Sequence, residues 1–291
     1  MSTQPEFRAH RWLSKDGLSL YSRVYDAAGS AAAPVLCLHG LTRNSKDFED
    51  LALHLSPRYR VISPDLRGRG LSAPDPVWQN YQAGTYLSDL AGLVAGLGVQ
   101  RLVVIGTSLG GLLAMLLPAL LPGVIAGIVL NDIGPEIDPV GAARIKGYAG
   151  KLPPVGNWDE AVAQLRVLFG AAWPGLSDET WARLARRSYR EDATRTPVLE
   201  CDPKVGEALR AAPAADLWPL WAQLGASTLP VLAIRGALSD ILSTSTFARM
   251  QRDKPDLVPL TVAARGHVPL LDEPECLAAI DAFLARVAYS L

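Results

Sequence analysis

Sulfur, aromatic carbon and excess charge of either sign are all scarce in this chain of 291 residues. Its three cysteines, Cys37, Cys201 and Cys276, are odd in number and far apart, which speaks against a disulfide framework or a thiolate metal site. Cys37 lies inside the run PVLCLHG, where a small buried side chain is expected. Charged residues make up 20% of the chain, and 28 Lys and Arg against 29 Asp and Glu leave a net charge of −1. With no basic excess to neutralise a phosphate backbone, no nucleic-acid partner is expected. The opening residues, MSTQPEFRAHRWLSKDG, lack the apolar core of a signal peptide. With free thiols, this points to a cytoplasmic protein.

One stretch does run long without charge, residues 102–130, and it exceeds the length of a membrane span. Gly106, Ser108, Gly110, Gly111, Pro118, Pro122 and Gly123 punctuate it, so it divides into strand, turn, helix, turn and strand, and no membrane association is expected. Such uninterrupted apolar strands suit a sheet covered by helices on both faces.

The length suits one large α/β domain with an insertion, or two ordinary domains. GLSLYSRVYD alternates and is rich in β-formers, so it reads as an early antiparallel strand, ended by the linker AAGSAAAP. A rhythm follows: VLCLHG as strand, residues 48–55 as helix, YRVISPD as strand, 86–97 as helix, RLVVIG as strand, 109–120 as helix and VIAGIVLND as strand. Alternation of this kind implies a parallel sheet. Between about 134 and 224 helical segments take over, and the strand pattern then returns with LPVLAIRG and LVPLTVAARGH before a helix over 274–287. The expected organisation is a core of residues 1–133 and 225–291 with a helical cap inserted at 134–224.

Within VVIGTSLGG, Ser108 stands between Gly106 and Gly110. A Ser hydroxyl is a poor nucleophile until a base takes its proton, and a sharp strand-to-helix turn lifts its oxygen clear of the sheet. Small neighbours permit that turn. The pattern G-x-S-x-G alone is weak; a strand (RLVVI) before it and a helix (LGGLLAMLL) after it make it specific. A helix N-cap serine is the structural alternative.

The pieces LCLHG, ISPDLRGRGLS, VVIGTSLGG, LAIRGALSD and RGHVPLLDEP, in this order, resemble the α/β-hydrolase superfamily over nearly the whole chain. The resemblance implies a mostly parallel sheet flanked by helices and a chain order of nucleophile, acid, histidine. Of His10, His39, His54 and His267, only His267 follows Ser108. Two aspartates sit just past a strand and are candidates for the acid, Asp132 in IVLNDIGP and Asp240 in LAIRGALSD. Asp240 is favoured because it follows the strand before the histidine-bearing one, the commoner arrangement in such proteins; Asp132 is the alternative, and either can be a mere turn-capping residue. The resemblance therefore carries over Ser108 as nucleophile, Asp240 as acid, His267 as base, and the backbone N–H groups of Leu41 and Leu109 as the oxyanion hole. His39 is expected to brace its loop through backbone hydrogen bonds. Arg69 stands in DLRGRGLS where the family pattern often has His, and Asp65 and Arg67 are expected to brace loops.

A Ser rather than an Asp nucleophile separates the chain from dehalogenases and epoxide hydrolases of this fold and implies an acyl-enzyme from a carbonyl substrate. The loop HGLTRN also lacks the HGGG of one lipase and esterase group. VLNDIGPEID and LECDPKVGEAL resemble bacterial esterases, lactonases and carbon–carbon bond hydrolases. Trp158, Trp173 and Trp181 are candidate substrate contacts in the cap, with Trp218 and Trp221 nearby; such residues also serve to pack cap helices. RLARRSYRED reads as a solvated helix face. The expectation is a cofactor-free serine hydrolase of a small or medium ester or lactone. A carbon–carbon bond hydrolase of a vinylogous diketone is the nearest rival, and a non-catalytic binding protein of the same fold the rival of another class.

Overall fold

The computed structural model describes residues 7–27, 29, 32–213 and 215–289. Residues 1–6 of the opening stretch and 28, 30 and 31 of the linker lie outside the described residues. The described residues open with an antiparallel hairpin of β1 (Arg8–Leu13) and β2 (Ser19–Tyr25). β1 is too charged and too exposed to announce itself in the sequence; pairing with β2 supplies its backbone partners. Next come β3 (Val35–Leu38), α1 (Glu49–Leu55), β4 (Val61–Asp65), α2 (Ala83–Gly96), β5 (Leu102–Thr107), α3 (Leu109–Leu120) and β6 (Ile125–Asn131). The uncharged stretch of residues 102–130 is thus strand, helix and strand, and no helix among the described residues is long and apolar enough to cross a membrane.

After β6 the chain runs through α4 (Pro139–Tyr148), α5 (Trp158–Phe169), α6 (Asp178–Ser188), a small antiparallel pair β7 (Tyr189–Glu191) and β8 (Pro197–Leu199), and α7 (Lys204–Ala211). It returns through α8 (Trp218–Ala226), β9 (Val231–Gly236), α9 (Thr244–Asp253), β10 (Val258–Val262) and α10 (Pro274–Tyr289). The boundary expected at 224 falls inside α8, whose Trp221 and Leu224 pack with Leu113 and Leu117 of α3 in the core.

Eight strands form one sheet in the order β1-β2-β4-β3-β5-β6-β9-β10. β1, β2 and β4 pair antiparallel; from β4 onward every neighbour is parallel. Alternation sorts the strand residues between two layers. Leu36, Val104, Ile128 and Ala233 face α2, α3 and α8, while Cys37, Val103, Val129 and Ile234 face α1 and α10. Each fully buried aliphatic side chain contributes about 1.5–3 kcal/mol relative to exposure. A third cluster, including Leu165, Phe169, Trp173, Trp181 and Leu184, holds α5 and α6 together.

The excursion between β6 and β9 is tied down at the carboxyl ends of the parallel strands. Gly266 N donates to Ala172 O at 2.6 Å, Trp173 Nε1 donates to Val268 O at 2.7 Å, and Asn44 Nδ2 donates to Arg187 O at 2.8 Å. Loops of the core and helices of the excursion therefore meet over the end of β5, where Ser108 stands.

Candidate active site

Ser108 joins β5 to α3 with φ 52° and ψ −116°, a left-handed conformation that costs on the order of 1–3 kcal/mol in a non-glycine residue. Its amide donates to Asn131 O at 3.1 Å, and its carbonyl accepts from Gly111 N at 2.9 Å and Leu112 N at 3.1 Å. The flanking glycines are needed for the close approach of helix to strand. A Cβ on Gly106 would strike the Gly110 carbonyl, and one on Gly110 the Leu38 carbonyl.

His267, 8% exposed, lies in the loop after β10 and reaches Ser108 across the strand ends. Its Nε2 is 2.9 Å from Ser108 Oγ and its Nδ1 is 2.8 Å from Asp132 Oδ2. A carboxylate only accepts, so Nδ1 carries the proton and Nε2 offers its lone pair to the hydroxyl. Asp132 is fully buried, with φ 55° on the residue directly after β6. A buried carboxylate needs compensating donors. Besides the imidazole, Asp132 accepts from Gly236 N at 2.8 Å through Oδ1 and from Ser239 Oγ at 2.6 Å through Oδ2.

The favoured acid, Asp240, is not at the imidazole; this corrects the expectation from sequence. It lies four residues beyond Gly236, the last residue of β9, after a turn closed by Ser239 N and Gly236 O at 3.0 Å. The turn delivers it to α4, where Arg144 grips it through Nε at 2.6 Å and Nη2 at 2.8 Å. Burial would raise the Asp240 carboxyl, but the hydrogen bonds and charge of Arg144 prevail and hold it below the usual carboxylate range.

The loop after β3 lies against the nucleophile: a Cβ on Gly40 would sit 3.7 Å from Ser108 Cβ. His39 is fully buried, and burial pulls its pKa down to about 3, so the ring is neutral. It donates from Nδ1 to Gly40 O at 2.7 Å and accepts at Nε2 from Leu66 N at 3.0 Å. The Gly40 carbonyl and the Leu41 N–H belong to one peptide group, so His39 fixes the plane of the expected oxyanion donor. Arg69 holds the far side by donating from Nε to Leu41 O at 2.9 Å. Leu109, the other expected donor, is the first residue of α3, where an N–H has no partner within the helix. Asp65 braces its turns by accepting from Ser45 N and Leu71 N, and Arg67 does so by binding Asp16, Asp75 and Asp89.

A cavity of about 80 Å³ opens above Ser108 and His267. Of the three candidate tryptophans, Trp173 lines it. Trp181 packs behind Trp173 at 5.7 Å between ring centroids, and Trp158 lies away from the cavity with Arg186 over its ring and Glu191 on its Nε1. The reading of RLARRSYRED as a solvated face is corrected as well. Arg183, Arg186 and Arg190 are exposed, as that reading has it, but Arg187 is only 7% exposed, and both it and Arg183 line the cavity from α6. The charged run hid one inward arginine, Arg187, with Arg183 one helical turn before it on the same side.

Sequence reasoning missed three further residues. Asn131 ties the two halves of the site together, donating from Nδ2 to Thr107 Oγ1 at 3.1 Å and to Pro269 O at 2.9 Å. Ser239 braces Asp132, and Arg43 lines the cavity from the loop after β3. Asn131 and Ser239 each stand beside a candidate acid, which was the available signal.

A sequence model of the Alpha/beta hydrolase family matches residues 35–280. The 3-hydroxybutyrate-oligomer hydrolase of Cupriavidus necator is 32% identical, over 97% of this chain and 99% of that protein. The 2-(acetamidomethylene)succinate hydrolase of Mesorhizobium japonicum is 28% identical, over 86% of this chain and 87% of that one. Among solved structures, an alpha/beta hydrolase from Novosphingobium aromaticivorans superposes with a TM-score of 0.91 at 42% identity, covering 98% of this chain and all of the other.

Proposed function

The chain is a hydrolase of the alpha/beta hydrolase family, and we propose that it cleaves a small or medium carboxylic ester or lactone through Ser108, His267 and Asp132. The observation that carries this reading is the unbroken hydrogen-bonded chain from Ser108 Oγ through the imidazole to the buried Asp132 carboxylate, at the floor of a cavity. His267 Nε2 takes the hydroxyl proton as Oγ attacks the carbonyl carbon. The tetrahedral oxyanion accepts from the N–H groups of Leu41 and Leu109, and Asp132 stabilises the imidazolium. Collapse expels the alcohol, which takes the proton from Nε2 and leaves an acyl group on Ser108. Water, deprotonated by the same nitrogen, then releases the acid. The helices between β6 and β9 serve as a cap that shapes the acyl pocket, with Trp173 in its wall. The ester reading also draws on the whole-length relative that acts on oligomers of 3-hydroxybutyrate, a hydroxy acid whose units can join by ester bonds.

Ser108→Ala is expected to lower 4-nitrophenyl acetate turnover by ~10⁴-fold or more while the thermal transition persists. Unchanged turnover, or a fluorophosphonate that labels the wild type elsewhere than Ser108, overturns the assignment. A vinylogous diketone assayed beside the ester separates ester cleavage from carbon–carbon bond cleavage.

A further inference from the structure

The cavity over Ser108 has one wall that ester chemistry alone does not require. Ile145, Phe169, Trp173 and Leu270 make an apolar side suited to an acyl chain, but Arg43, Arg183 and Arg187 line the same space. Arg187 is buried, and its Nη2 donates to Asp50 at 2.7 Å with Glu49 at 3.6 Å. Its Nε, also buried, has no hydrogen-bond partner among the described residues. A buried cationic N–H left unpaired is costly, so the Arg187 guanidinium stands to gain from an acceptor that reaches it.

Arg43 reaches from the loop beside the nucleophile to Ser188, the neighbour of Arg187. Its Cγ and Ser108 Cβ flank Gly40, at 3.6 and 3.7 Å from where a Cβ on that glycine would be. Nε and Nη2 bind Asp47 at 2.7 and 2.5 Å, and Nη1 donates to Ser188 Oγ. A guanidinium has five N–H donors, so two remain. Arg183 is 44% exposed, with Asp272 at 3.4 Å. Two carboxylates, Asp47 and Asp272, share the lining with the three arginines, and Asp50 and Glu49 pair with Arg187 from outside it, so the free donors and not a net charge mark the site. Asp47 is engaged by Arg43, and burial, with Glu273 and Asp50 nearby, pushes the Asp272 carboxyl up.

We propose that Arg187 and Arg43, with Arg183 beside them, receive a free carboxylate of the substrate, so that the ester presented to Ser108 is an anion. The proposal rests on the ester reading of Ser108 and adds the class of ester. A planar guanidinium fork matches carboxylate geometry, and the burial of Arg187 strengthens the attraction.

The test is a matched pair of compact esters that differ in charge, 3-acetyloxybutanoate and 3-acetyloxybutanamide. Wild type is expected to favour the carboxylate by about tenfold or more in kcat/KM, as one charge-assisted hydrogen bond implies. Arg187→Met is expected to bring that ratio close to one, and Arg187→Lys to restore part of it. Calorimetry on Ser108→Ala protein reads binding without turnover and is expected to show the same preference for the carboxylate. A wild-type ratio at or below one, or equal binding of the two compounds, overturns the carboxylate site. Preferential binding of the carboxylate with no turnover of either ester overturns the ester reading instead and leaves the arginine site standing. If Arg187→Met loses its thermal transition, the wild-type ratio and the calorimetry decide.

Discussion

Asp132 and Asp240 follow β6 and β9, which lie side by side in the sheet, and both carboxylates are held by two or more donors. The β6 corner is fully buried, and its carboxylate is aimed by a backbone amide and a hydroxyl at the one ring nitrogen it serves. At the β9 corner the aspartate side chain is about a third exposed and meets an arginine instead. The difference lies in the tether. Asp132 comes directly off its strand, where its amide donates to Ile234 O at 2.7 Å, and so stays at the sheet edge beside the histidine loop. Four residues of turn carry Asp240 outward to α4. The β9 corner still contributes to the other through Ser239, whose hydroxyl donates to Asp132 while accepting from Ile241 N at 3.2 Å and Leu242 N at 3.1 Å.

The largest effect on this comparison belongs to Asp132→Asn. An amide in place of the carboxylate favours the wrong imidazole tautomer and gives no charge to the imidazolium, so kcat is expected to fall by ~10⁴-fold. Steady-state hydrolysis of 4-nitrophenyl acetate measures it, with circular dichroism to confirm an intact fold. A loss below about tenfold would return the role to the β9 corner, since tautomer control is worth far more than that.

Much of the site was legible before any geometry. Ser108 was marked by glycines that the helix–strand contact requires, and His267 was the one histidine after it. The choice between Asp132 and Asp240 was not legible, because both follow apolar strands and residue type does not encode how far a turn carries a side chain. Arg187 was hidden for a related reason. RLARRSYRED is charged on several faces, and only the packing of α6 over the strand ends decides which arginines turn inward. β1 escaped notice because an exposed edge strand lacks the apolar alternation that betrays buried ones.

A smaller effect is expected from Ser239→Ala, which removes one donor from Asp132 and leaves the imidazole contact in place. A hydrogen bond to a charged group is worth about 1.5–3 kcal/mol, and partial relaxation around the carboxylate should leave roughly a tenfold loss in kcat with little change in KM. Ser239→Thr keeps a hydroxyl and is expected to recover most of the rate. Equal losses in both variants would show that Ser239 matters for the shape of its turn and not for the bond to Asp132.

The smallest effect should come from Asp240→Asn. Asp240 lies close enough to His267 for their charges to interact, so kcat/KM is expected to drop, but by no more than about threefold, because the long-range attraction is screened. The stability effect has a definite sign. The folded carboxyl titrates below the unfolded one, at roughly 3.9, so the Arg144 pair stabilises the fold above that pH and its contribution disappears as the pH falls through the folded value. Exposure of about a third on both side chains limits the pair to about 0–1 kcal/mol. The variant should therefore melt about 1–3 °C below wild type at pH 7, and the two curves should converge once the pH has fallen below the folded value. A gap that stays constant across that range would mean that the carboxylate holds α4 by packing and not by charge, leaving the two corners different in electrostatics as well as in what they touch.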